Sequence, residues 1–110
     1  MPNTQPIEAD SYSRLLGINR QAFSEAHYEV AYHALAAALH AASDEADQTR
    51  VREVQVVAIE QRDWIDEHRP EHRLSSASAR KRGQQNIFWM LERQAAALGQ
   101  LTLRKTRQPS

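Results

Sequence analysis

Apolar residues recur every three to four positions through most of this chain, the period of an amphipathic α-helix, and the fold class this predicts is all-α. Asp10 or Ser11 is placed to cap a short N-terminal helix over about 10–16, which carries Leu15 and Leu16 and which Gly17 ends. Asn19 then caps a long second helix over about 20–42. Ser43 and Asp44 close it and open a third, over about 45–68, through a tight antiparallel connection. Pro70 disfavours helix at Arg69 and stops the third helix there. Leu74, Ser75 and Ser76 read as the staple and cap of a fourth helix over about 76–98. The expected architecture is a compact bundle of three long helices with the short one packed across one end. It forms a single domain over residues 10–99, between a disordered lead (1–9) and a basic, flexible tail (100–110).

Placing residues at 100° per position shows which faces should be buried. The second helix is apolar over most of its circumference, from Phe23, His27, Tyr28, Val30 and Tyr32 to Leu35, Leu39 and Ala42, and is expected at the centre. Its lane of Ala31, Ala34 and Ala38 lets a neighbouring helix approach closely. The third helix presents Val51, Val54, Val57, Ala58, Trp64 and Ile65 on one face, and the fourth presents Ile87, Phe88, Leu91, Ala95 and Leu98. Burying Phe23, Tyr28, Tyr32, Trp64 and Phe88 should contribute about 1.5–3 kcal/mol each before conformational entropy is counted. Two apolar groups do not fit a monomeric bundle. Val56 and Ile59 fall on the charged side of the third helix, and Trp89 lies nearly opposite Ile87, next to Arg82 and Arg93.

The overall charge of zero conceals a segregation that changes this picture. Residues 1–72 carry thirteen acidic and six basic side chains, a net −7, whereas residues 73–110 carry eight basic and one acidic, a net +7. Such a dipolar chain is suited to contact with an acidic protein, a nucleic acid or a second copy of itself. The anion-binding candidates are Arg80, Lys81, Arg82, Arg104, Lys105 and Arg107. Arg80, Lys81 and Arg82 would occupy the first two turns of the fourth helix, the end where the helix dipole disfavours cations, which points to a use for them. Arg82, Trp89 and Arg93 would form an aromatic platform among guanidinium groups, suited to a protein interface or a stacked base. Cysteine is absent, which excludes disulfides and thiol chemistry and suits a reducing, cytoplasmic setting. The N-terminus shows no signal peptide, and no apolar run is long enough to span a bilayer.

Little in the chain suggests catalysis. Glu29 and His33, at i,i+4, share a stripe with His40 and could hold a metal ion. No second carboxylate-rich helix completes such a site, and a solvated i,i+4 pair explains the spacing equally. His27, on the apolar face, is expected to be buried and hydrogen-bonded. No nucleophile spacing or glycine-rich phosphate loop is present, so neither an enzyme nor a cofactor is expected.

Tyr12-Ser-Arg-Leu-Leu-Gly17-Ile18, Ala31-Tyr32-His-Ala-Leu35-Ala and His40 resemble the opening of a J-domain. That family ends its second helix in His-Pro-Asp, the loop that engages its chaperone partner, whereas here Ala41 and Ala42 follow His40. The segment Tyr28-x-x-Ala31-x-x-x-Leu35-x-x-Ala38-Leu39 is also similar to the second helix of a tetratricopeptide repeat, so neither likeness implies an activity. The reading that follows is a small, non-enzymatic helical interaction module, expected to be a homodimer, with Val56, Ile59, Trp89, Arg82 and Arg93 as interface candidates. A small nucleic-acid-binding protein using the basic C-terminal third is the alternative, and a metal-binding bundle using Glu29, His33 and His40 a weaker one.

Overall fold

The structure, a computed structural model, describes residues 9–107, with side chains through Leu101. The chain is all-α: the described residues form five helices, α1 (Ser11–Ser24), α2 (Tyr28–Asp44), α3 (Gln48–His68), α4 (Ser76–Lys81) and α5 (Ile87–Arg107). Most of the expected lead, residues 1–8, lies outside the described residues.

The first helix does not end where its glycine suggests. Asp10 does cap α1, its Oδ1 accepting from the Ser13 N–H at 3.0 Å. The helix then runs through the exposed Gly17, and it stops only at Ser24. The break falls at Glu25-Ala26-His27, where Ala26 takes a left-handed φ of 63°. The His27 N–H bonds the Ala22 carbonyl at 2.8 Å and the Ala26 N–H bonds that of Phe23 at 3.0 Å, a Schellman closure made without glycine. The next turn repeats the device. Ala46 has φ 53°, the Asp47 N–H bonds the Ala42 carbonyl at 3.0 Å, and the Asp47 carboxylate caps α3 through the Arg50 N–H at 3.1 Å.

α3 ends just before Pro70 as expected, with the Arg69 N–H on the Ile65 carbonyl at 2.7 Å. The single expected fourth helix is two helices. Ser75 caps α4 by accepting from the Ser78 N–H at 3.0 Å, but Gly83, at φ 71°, ends it after one and a half turns. Asn86 then caps α5, its Oδ1 accepting from the Phe88 and Trp89 N–H groups at 2.8 and 3.1 Å. α5 continues through Gly99 to Arg107, beyond the end expected at residue 98. Residues 108–110 of the expected tail, and the side chains of Arg104, Lys105 and Arg107, lie outside what is described.

Two antiparallel pairs, α1–α2 and α3–α5, make up the bundle. The centre lies where Leu35, Ala38, Leu39 and Ala42 of α2 meet Val51, Val54, Val57 and Ala58 of α3 and Leu91 and Ala95 of α5. A smaller cluster of Tyr28, Ile65, Leu74 and Phe88 fills the end near α4. Asn19, expected as a cap, is fully buried in the middle of α1. Its Nδ2 donates to the Ala31 carbonyl at 2.7 Å, and it exchanges two amide bonds with Gln61 at 2.8 and 3.0 Å, so α1, α2 and α3 are joined at one point. His27, expected in the core, is exposed at the start of α2 beside Glu25, 3.5 Å away. Val30 is likewise exposed. The change at His27 follows from starting α2 at Tyr28 rather than Arg20, which leaves His27 in the preceding turn, whereas Val30 lies within α2 on the side turned away from its buried residues.

Candidate interaction surface

Helix register decides which outward residues become neighbours. Gln55 Nε2 of α3 donates to Glu92 Oε2 of α5 at 2.9 Å, and a Cβ at Gly99 would stand 3.6 Å from Val51 Cγ1. This antiparallel register brings Ile59 level with Trp89. The two helices thus present one outer face, away from α2, with Val56 and Ile59 on α3 and Trp89 and Ala96 on α5. Val56 is 46% and Trp89 38% exposed, and Ile59 is half-buried. Met90 and Leu101, both about half exposed, lie farther round α5.

At the α4 end of this face a cleft of about 560 Å³ opens among α3, α4 and the start of α5, with Arg62, Asp63, Arg80, Gln84, Gln85 and Trp89 on its walls. Its floor is a closed hydrogen-bond set. Asp66 accepts from the Ser76 N–H at 2.7 Å and from Ser76 Oγ at 2.6 Å, and Asn86 Nδ2 donates to Ser76 Oγ at 3.0 Å and to the Leu74 carbonyl at 3.2 Å. Arg62 pairs with Asp63 at 2.9 Å. Asp66 thus ties the start of α4 to α3, while Asp63 is held by its neighbour Arg62.

Breaking the fourth helix rearranges the cationic candidates. Arg80 and Lys81 stand in the last turn of α4, the end where the dipole favours cations, opposite to the expectation. Arg82 is drawn to the α3–α4 connection, its Nε donating to Gln84 Oε1 and its Nη1 to the Arg73 carbonyl, both at 2.9 Å. Arg82 is therefore on a different element from Trp89 and Arg93, and the three-residue platform is not formed as expected. Arg93 remains one turn beyond Trp89 on α5, exposed.

Glu29 and His33 lie 3.8 Å apart, but Glu29 also binds Arg73, whose guanidinium holds its carboxyl below the ordinary value. His40 is exposed nearly two turns on from His33. Among the described residues no group of three His, Asp or Glu side chains is arranged to hold a metal ion. No helix there is long and apolar enough to cross a membrane.

The sequence pattern did not reveal an aromatic row at the far end of α1. Trp64, expected in the core, is 37% exposed there. It stacks on His68 with ring centroids 4.5 Å apart and meets the edge of Phe23 at 5.6 Å. Tyr28 joins Phe23 at 5.0 Å and His72 at 5.0 Å. Trp64 and His68, at i,i+4, were the available signal for the stack.

Compared with protein-family profiles, with curated proteins and with solved structures, the chain matches none of them.

Proposed function

We propose that the protein is a non-enzymatic interaction module that self-associates through the outer face of α3 and α5. What supports this reading is that Val56 and Trp89 are exposed, Ile59 is half-buried, and the α3–α5 register brings Ile59 level with Trp89, although two separate misfits in the sequence produced them. Apolar side chains with an aromatic anchor at their centre are what a protein contact requires. The non-enzymatic reading draws on the cleft, where Asp63, Asp66, Ser76 and Asn86 are bound to one another or to Arg62 and the backbone. The cysteine-free composition supports a cytoplasmic setting.

Light scattering during size exclusion tests the reading. The wild-type protein should have a dimer's mass at micromolar concentration. Ile59→Asp should convert it to a monomer of unchanged helical content, and Trp89→Ala should weaken the dimer about tenfold or more. A wild-type monomer throughout would remove the proposal.

A second reading, nucleic-acid binding, is favoured by one observation: Arg80, Lys81 and Arg82 gather at the end of α4, and none forms an ion pair with a described residue. Titration with labelled single- and double-stranded oligonucleotides tests it. Binding that falls steeply with salt and is lost on removing the three cations would favour it, and no binding at low salt would end it.

A further inference from the structure

Two histidines near the end of α3 use the same ring nitrogen in opposite ways. His68 Nδ1 stands 3.0 Å from the Trp64 carbonyl, which only accepts, so that nitrogen carries a proton. His72 Nδ1 stands 3.0 Å from the Leu74 backbone N–H, which only donates, so that nitrogen is bare and the ring proton is on Nε2. A second proton on His68 goes to Nε2 and leaves its bond intact. On His72 it can go only to Nδ1, where it sets donor against donor and leaves the N–H of the buried Leu74 unpaired.

The His72 bond lies in the connection that holds α4. The His72 N–H bonds the Arg69 carbonyl and the Ser75 N–H bonds the His72 carbonyl, both at 2.9 Å. Leu74 enters the cluster of Tyr28, Ile65 and Phe88, and Ser75, which caps α4, donates its Oγ to the Pro70 carbonyl at 2.6 Å. The far end of α4 returns to the same segment, since Arg82 Nη1 donates to the Arg73 carbonyl. A helix of six residues does not persist by itself, so α4 keeps its place only while this connection does.

The titratable and charged groups around His72 do not offset a proton there. Tyr28 of α2 meets its ring at 5.0 Å, and Glu29, next along α2, is already taken by Arg73. His68 and Arg69 at the end of α3, and Arg73 in the connection, are themselves basic, and Glu71 is exposed. His72 forms no ion pair with a described residue. We propose that His72 is a pH-sensitive latch: neutral, it fastens the connection between α3 and α4, and on taking up a proton it releases Leu74 and Ser75 and with them α4. Imidazole is protonated as pH falls through the mildly acidic range, so the latch is closed above that range and open below it. Ser76 and Arg80 of α4 line the cleft between α3 and α5, which therefore loses one wall when the latch lets go.

Amide exchange followed by NMR at about pH 7.5 and about pH 5.5, corrected for the intrinsic rate at each, tests the latch. In the wild-type protein, protection of residues 74–82 should fall about tenfold or more at the lower pH. His72→Asn places a carbonyl oxygen where Nδ1 stood, an acceptor that does not titrate, and should hold that protection to within about threefold at both values. His68→Gln should leave the wild-type loss in place. The nitrogen shifts of the two rings give a reading that needs no variant: at about pH 7.5 His72 should carry its proton on Nε2 and His68 on Nδ1. A neutral His72 with its proton on Nδ1 overturns the proposal. So does protection over 74–82 that is the same at both pH values, or that falls equally in His72→Asn.

Discussion

Ala26 and Ala46 each hold a left-handed backbone in a helix-to-helix turn, a conformation that costs a residue with a Cβ about 1–2 kcal/mol. Gly17, conversely, sits in the exposed middle of α1 with no atom within 4 Å of the place a Cβ would occupy. The chain thus has glycine where helix is wanted and alanine where a turn is wanted. Ala26→Gly and Ala46→Gly should each stabilise the protein by roughly 1 kcal/mol, and Gly17→Ala by about the same, without changing the fold. Thermal unfolding should report a rise of about 4–8 °C for each. This inversion also explains the misplaced first helix. Gly17 reads as a C-cap, and nothing in Ser24-Glu25-Ala26-His27 announces a stop, because the left-handed Ala26 is held by backbone bonds from Ala26 and His27 to the last turn of α1 rather than by a residue type that signals a turn. Asn19 and His27 exchanged their expected roles for the same reason. A polar residue on an apolar face is a cap, a buried amide or a surface group according to where the helix around it begins.

Among the helices, α4 is too short to persist by propensity alone and depends on its attachments. Asp66, Ser76 and Asn86 tie the end of α3, the start of α4 and the cap of α5 together. Asp66→Ala removes the acceptor of two bonds to a charged group and should cost about 2 kcal/mol or more, measured by urea denaturation. Amide exchange should accelerate most in residues 76–86. Ser76→Ala, which loses the hydroxyl but keeps the backbone N–H on Asp66, should lose less. Ser75 as a cap and Pro70 as a stop were legible in the sequence, since both act on their immediate neighbours. The division of the last helix was not. Arg-Gly-Gln-Gln-Asn over 82–86 has one glycine to mark it, and Asn86 becomes a cap because Leu74 and Ser76 receive its amide.

Across the molecule, the −7 and +7 portions pack together but their opposite charges scarcely pair. Among the described residues a single ion pair, Arg73 with Glu29, joins them, and the other arginine–carboxylate pairs stay within the acidic portion. Arg50 gathers Asp10, Glu45 and Asp47 and lies 4.6 Å over the Tyr12 ring, whose hydroxyl donates to Glu53 at 2.6 Å. Asp10 is lowered from its ordinary 3.8 to about 2, first by the Ser13 N–H it accepts and then by Arg50. Glu29 is lowered by Arg73. For carboxylates held down in the folded state the stabilisation is present above the unfolded value and is lost as pH falls through the folded one. Stability should therefore decline between pH 3.8 and about 2 through Asp10. Asp10→Asn, which keeps a capping oxygen, should flatten that limb in pH-dependent thermal melts.

The residue pattern alone was enough to establish the helical class, the core stripes of α3 and α5 apart from Trp64, the caps at Asp10 and Ser75, the stop at Pro70, and the two apolar groups left off those stripes. Each of these depends on residues within a turn or two of one another, where spacing along the chain is spacing in space. It took the packed helices to settle that α1 passes through Gly17, that Asn19 and Gln61 meet inside, that Arg82 leaves Trp89, and that Ile59 comes level with Trp89. These depend on the register of one helix against another. A turn's conformational cost of about 1–2 kcal/mol is small beside the burial that sets that register, so packing overrides the local signal.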